Sequence, residues 1–283
     1  MKKPLKKIST ENWTSSNLQG EIILQETLEF ARSCFKEKLI ACYALGSLAH
    51  GGFCPLVSDV DIAIIIDDQN VQDVISVIQN KVKETGLSLS ERLSIFWGSV
   101  NSLQNNNGGR FPALDKLDLI ENGRLLFGKD IRSFLPKPTQ LDLIITGAQF
   151  ALDYLATPEK INDIKNPELL FSRGVRHLTK MVLFPVRFLY TAKTGKMGHN
   201  EDAVNYYLKY NDTQSSELVK AAFQWRFEAP HDKKYVVTLL KKYLLEIYNQ
   251  FIDLYVLKMS NLGEVKLVSD LKKWKQCLNA NFN

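Results

Sequence analysis

A chain of 283 residues, 45% hydrophobic and 24% charged, is long enough for two domains and apolar enough to build a core without staples. Its formal net charge of +5 falls short of a nucleic-acid-binding footprint and suits a small anionic ligand at most. The four cysteines, Cys34, Cys42, Cys54 and Cys277, form no CxxC pair, which excludes a zinc site of that kind and fits a reducing cytoplasm.

In chain order, residues 1–7 are basic but no apolar stretch follows, so no secretory leader is expected. Residues 18–38 repeat apolar positions at helical spacing. A short apolar run over 39–45 reads as a buried strand closing on Gly46 and Ser47, and a small helical turn over 48–51 follows. A second strand is expected over 57–66, stopped by Asp67, Asp68, Gln69 and Asn70. Its apolar run is far too short to span a bilayer. A helix over 71–84, a third strand over 89–97, an Asn- and Gly-rich loop over 101–109, a helix over 114–122 and a strand over 124–127 complete the N-terminal half. Pro136, Lys137 and Pro138 punctuate the chain, which places a domain boundary between 1–136 and 137–283. The second half reads as helices over 139–156, 168–193, 200–209, 213–225, 232–258 and 268–277, with Pro185 kinking the second.

The chemistry concentrates in Gly46 and Ser47 followed, eleven residues on, by Asp59, Val60 and Asp61. Side chains alternate along a strand, so Asp59 and Asp61 point the same way and can share a divalent cation. Two like charges flanked by Ile and Val are costly unless a cation compensates them. Magnesium takes one or two carboxylates plus water and substrate phosphates, and two such ions can clamp an in-line phosphoryl displacement. Gly46 lets the backbone approach a phosphate, which the Ser47 hydroxyl and the amides of the next helix can hold. Glu91, sharing a strand face with Leu93, Ile95 and Trp97, reads equally as a third ligand or general base and as an exposed strand end.

Leu45, Gly46 and Ser47 with Ser58, Asp59, Val60, Asp61 and Ile62 resemble the polymerase-β-like nucleotidyltransferase superfamily. The likeness is nearest to the streptomycin/spectinomycin adenylyltransferases. In the helical half, residues 186–196 with Ala203 and Val204 are similar to those enzymes' helix, Thr-Gly-Lys turn and following helix. The resemblance implies an α+β fold: a mixed, mainly antiparallel sheet with helices on one side, followed by an all-α bundle that completes a cleft. It implies AMP transfer from ATP, with magnesium, to a hydroxyl of a small molecule such as an aminoglycoside. It makes Asp59 and Asp61 the metal ligands, Glu91 the base, and Ser47 and Ser58 triphosphate contacts. Asp118 becomes an acid near the nucleotide, and Arg187 a basic residue facing it. The chain departs from the pattern at Asn200, where those enzymes have a lysine, and at Lys180. Residues 97–109 do not resemble their substrate-side region, and Gly108, Gly109, Arg110, Phe111 and Pro112 look particular to another branch. A protein-modifying, antitoxin-type nucleotidyltransferase and a non-catalytic nucleotide-binding module are the alternatives. A nucleic-acid end is disfavoured, because the helical half has no strongly basic tract.

Other residues have plainer readings. His50 fits a helix-start surface position. Arg173, Arg176, His177, Lys180 and Arg187 form a basic stripe on one helix, which reads equally as a solvated face and as a cover for an anionic nucleotide. Arg187 stands out for its flanking Phe184, Val186, Phe188 and Leu189. Trp225, Phe227, Tyr235, Tyr243 and Tyr248 read as bundle core.

Overall fold

The computed structural model describes residues 17–67, 71–106, 108–211 and 214–280; the basic N-terminal segment and the turn signal at 68–70 lie outside them. The chain divides into two compact units, Met1–Lys137 and Pro138–Asn283.

The first unit is built on a four-stranded sheet in the order β3-β2-β1-β4. Its strands are β1 (Leu39–Leu45), β2 (Val60–Ile66), β3 (Leu93–Gly98) and β4 (Arg124–Gly128). β1 runs antiparallel to β2 and β4, and β2 runs parallel to β3. β1 and β2 are central and covered on both faces, which is why they read as near-continuous apolar runs rather than alternating ones. On one face Cys42, Ala44, Ile62, Ile64, Ile95 and Trp97 pack under α1 (Leu18–Phe35) and α3 (Gln72–Glu84). On the other, Tyr43, Leu45, Ala63, Ile65 and Phe96 meet Leu103 of α4 (Val100–Asn105) and Leu119 of α5 (Ala113–Asn122). The helices thus cover both sides, not one.

Two element boundaries differ from the periodicity for local reasons. The second strand starts at Val60, because residues 54–58 form a turn in which Ser58 N–H donates to the Cys54 carbonyl at 2.8 Å. The third starts at Leu93: Leu89 takes a left-handed conformation (φ 73) and Ser90–Arg92 wind into a 3-10 turn. α4 was not expected within the Asn-rich stretch. Its start is fixed by a reciprocal capping box between Ser99 and Ser102. Its end is held by the buried Lys116, whose Nζ donates to the Leu103 carbonyl (2.5 Å) and to Asn106 Oδ1 (2.8 Å).

The second unit is helical: α6 (Gln140–Phe150), α7 (Pro158–Lys165), α8 (Pro167–Ser172), α9 (Val175–Thr194), α10 (Asn200–Tyr210), α11 (Ser216–Gln224), α12 (Lys233–Asn261) and α13 (Val265–Asn279). α6 runs into a π-helical turn, Ala151–Leu155. The single helix expected over 168–193 is broken between α8 and α9 at Gly174, whose φ is 88. Pro185 sits inside α9, where it offers no N–H to the carbonyl of Met181. The fully buried Tyr248 hydroxyl donates to that carbonyl instead, at 2.9 Å. Trp225, Tyr243 and Tyr248 are core as expected; Phe227 and Tyr235 are exposed, which corrects their reading. No helix among the described residues is long and apolar enough to cross a membrane.

Candidate functional site

β1 ends at Leu45, which faces Asp61 in the antiparallel register. The chain then turns through Gly46 into α2 (Ser47–His50). Gly46 has φ 60 and ψ −151, a conformation that side chains rarely adopt. A Cβ there would lie 2.5 Å from Asp61 Oδ2, so the backbone is pressed directly against that carboxylate. On its other side, Gly46 N–H donates to Asp118 Oδ2 at 2.7 Å, while Asn122 Nδ2 donates to Asp118 Oδ1 at 2.9 Å. Asp118, in α5, is only 3% exposed. Gly46, Asp61 and Asp118 are therefore brought together, with Gly46 gripped between two acids. The first amides of α2, at Ser47 and Leu48, have no preceding carbonyl within a helix to bind, which suits them to an anion.

Asp61 lies in β2 and Asp59 one residue before it; both are half-buried. Ser58 does something more local than expected: its Oγ accepts the Cys54 N–H at 3.0 Å, closing the turn that delivers Asp59. His50 is the half-buried last residue of α2. Among the described residues, no three His, Cys, Asp or Glu side chains are grouped to hold a metal ion. Two half-buried carboxylates beside a glycine with no room for a Cβ nevertheless match the hard-oxygen donors magnesium prefers, with phosphate and water completing the shell.

Glu91 is corrected. It is in the 3-10 turn rather than on the strand, and its side chain, 75% exposed, pairs with Lys83 of α3 at 3.2 Å. The face it was expected to share with Leu93, Ile95 and Trp97 is the one covered by α1 and α3. Asp61 points to the other. In the parallel register Asp61 faces Ser94 and Ala63 faces Phe96, so Ser94 and Phe96 are the β3 residues on the aspartate face.

Sequence reasoning missed Arg110 there. Its guanidinium donates to the Ile95 carbonyl at 2.8 Å and to Ser94 Oγ at 3.4 Å, and lies 5.0 Å from the Phe96 ring centre. Gly109 makes this approach feasible, since a Cβ there would fall 2.4 Å from the Trp97 carbonyl oxygen. The pair Gly108 and Gly109 ahead of an arginine was the available signal.

In the helical unit, Arg187 Nε donates to the Gly198 carbonyl at 2.5 Å and its guanidinium lies 5.8 Å from the Phe184 ring centre. Lys180 approaches the same ring at 5.9 Å. The basic stripe is divided, because Arg173 and His177 turn to the fully buried Asp163, at 3.2 and 2.8 Å. Burial pushes the His177 imidazole below its usual range, against the pull of the Asp163 carboxylate.

No protein-family model matches the chain, and no curated protein does. Among solved structures, the chain is similar to spectinomycin adenyltransferase AAD(9) from Enterococcus faecialis, crystallised with ATP and spectinomycin. The TM-score is 0.57 at 15% identity, over 78% of this chain and 99% of that one. The likeness shows a shared fold, α+β with a helical C-terminal part.

Proposed function

We propose that this protein is a magnesium-dependent nucleotidyltransferase that moves AMP from ATP to an oxygen of a small molecule, in the cytoplasm. The observation that carries the reading is Gly46, clamped between Asp61 and Asp118 at the mouth of a short helix, on a fold shared with an adenyltransferase that was crystallised with ATP.

In this reading Gly46 lets the chain approach the β- and γ-phosphates closely, and the Ser47 and Leu48 amides with the Ser47 hydroxyl bind them. Asp118 keeps the Gly46 amide and the turn in place. Ser58 fixes the turn that presents Asp59 and Asp61, which hold the metal. Bound magnesium supplies charge neutralisation at the α-phosphate and the departing pyrophosphate. The acceptor oxygen attacks the α-phosphorus in line and pyrophosphate leaves; catalysis is positioning plus charge stabilisation. The domains are assigned as a nucleotide-binding part, 1–136, and a helical part, 137–283. Glu91 is given no part in proton removal, because its side chain lies beside Lys83 of α3, which covers the sheet face opposite the aspartates. That placement is also what favours the second reading, a nucleotide-binding module without turnover.

Calorimetric titration of ATP, with and without magnesium, into the wild type and Asp59→Ala tests the site. Magnesium-dependent binding that Asp59→Ala loses supports the proposal, and absence of ATP binding to the wild type rejects it. Pyrophosphate release with an acceptor panel then separates the enzyme from the module.

A further inference from the structure

The proposed reaction runs across β2, with the phosphates on the β1 side, at Gly46 and Ser47, and the open flank on the β3 side. On that flank the aspartate face carries Ser94 and Phe96, neither of which removes a proton, and above them lies Arg110. The guanidinium is held by two neutral oxygens, the Ile95 carbonyl and Ser94 Oγ, and by the Phe96 ring. Among the described residues no carboxylate pairs with it. Ser94 stands directly opposite Asp61, and neighbouring strands lie about 4.8 Å apart, so this uncompensated cation sits one strand from the proposed reacting centre. Its support is specific: Phe111 packs on Phe96 at 5.8 Å, and Arg110 N–H donates to the Trp97 carbonyl at 2.8 Å. A fixed, exposed guanidinium that lacks an acid partner matches a planar oxyanion bidentately and opposes a polycation.

We propose that the acceptor is an oxyanion, a phosphate monoester or a carboxylate, bound by Arg110, and that its ionised oxygen is the attacking atom. This rests on the nucleotidyltransferase reading and gives its acceptor a chemical class. The acceptor oxygen forms the bond to the α-phosphorus as the bond from that phosphorus to the bridging oxygen breaks. The electron pair leaves with pyrophosphate. The nucleophile is already ionised, so no proton has to be removed, and a β3 flank without a base is sufficient. Polycationic aminoglycosides are disfavoured by the same charge.

The test begins by loading the full chain with α,β-methylene-ATP and magnesium, followed by calorimetry. If the analogue does not bind, the nucleotidyltransferase reading fails and this inference fails with it. If it binds, inorganic phosphate, acetate and spectinomycin are titrated in turn. Phosphate or acetate binding that Arg110→Gln weakens about tenfold, and that Arg110→Lys, which keeps the charge without the planar fork, restores only in part, supports the inference. The tighter of the two anions identifies the acceptor group. Gln retains an N–H for the Ile95 carbonyl, and an unchanged analogue affinity in Arg110→Gln shows that the fold persists. Arg110→Lys separates loss of charge from loss of loop structure in either case. Anion binding that is absent, or unchanged by Arg110→Gln, or outcompeted by spectinomycin, overturns the inference and leaves the nucleotide site standing.

Discussion

The two units both bury polar groups, and they use them differently. In the sheet unit, two buried charged side chains hold main chain, Asp118 gripping Gly46 and Lys116 closing α4, while Glu21 ties α1 to the Arg124 side chain of β4 at 2.6 Å. In the helical unit, they mend the scaffold itself. Tyr248 replaces the donor that Pro185 lacks, and Asp163 gathers Arg173 and His177. The contrast teaches that burial of a charge marks function only when the partner is a strained or exposed piece of backbone that a ligand can reach. Damage in the first unit should therefore register in ligand binding, and damage in the second in stability.

The sharpest attempt to break that contrast is Gly46→Ala. The new methyl would meet Asp61 Oδ2 and force a conformation reserved for glycine, so nucleotide turnover should fall by about 10²-fold or more, with a cost of about 1–3 kcal/mol in stability. Equilibrium unfolding beside a turnover assay reads both, and a variant that loses stability but keeps turnover would erase the distinction. Asp163→Ala should do the reverse. It should cost about 2 kcal/mol in urea unfolding, less than the 3–5 kcal/mol of a deeply buried pair because Arg173 can reach water, and leave ATP affinity unchanged.

Tyr248→Phe strands the Met181 carbonyl and should cost about 1–2 kcal/mol. Adding Pro185→Ala restores the helical N–H, so the double variant should recover most of the loss. An additive double-mutant cycle would show that the hydroxyl does not serve that carbonyl. The smallest effect is on pH. The unfolded chain protonates His177 near its ordinary pKa of about 6.5, whereas burial keeps the folded imidazole neutral to lower pH. Stability from this group is complete above that value and drains away as pH falls through the lowered folded one. His177→Gln should flatten, in denaturant titrations, the loss that sets in as pH falls below that ordinary value.

Much of the sheet unit was legible from residues alone. β1, β2, α3, α5 and β4 follow from apolar runs and helical spacing, and Gly46 and Asp61 meet because a glycine turn joins two strands in register. The strand placement of Glu91 fails because a left-handed Leu89 ends the turn before the strand begins, and no periodicity reports a backbone dihedral. α7 went unseen because its exposed turns carry few apolar residues. The outward-facing residues missed the reading for another reason. Phe227 lies in the turn after α11 and Tyr235 on an exposed position of α12; an aromatic side chain alone reports neither a helix end nor which face a helix buries. Arg110 reaches the aspartate face through a loop, and loops carry no period to extrapolate.

That loop has a second consequence. β3 is an outer strand, and an outer strand invites pairing with another chain. Arg110 spends its own N–H on the Trp97 carbonyl and its guanidinium on the Ile95 carbonyl, two of the outward-facing acceptors a foreign strand would need. The same arginine that sets a cation beside the aspartates thus occupies part of the sheet's exposed rim, so one short piece of backbone both presents a charge and blunts an edge.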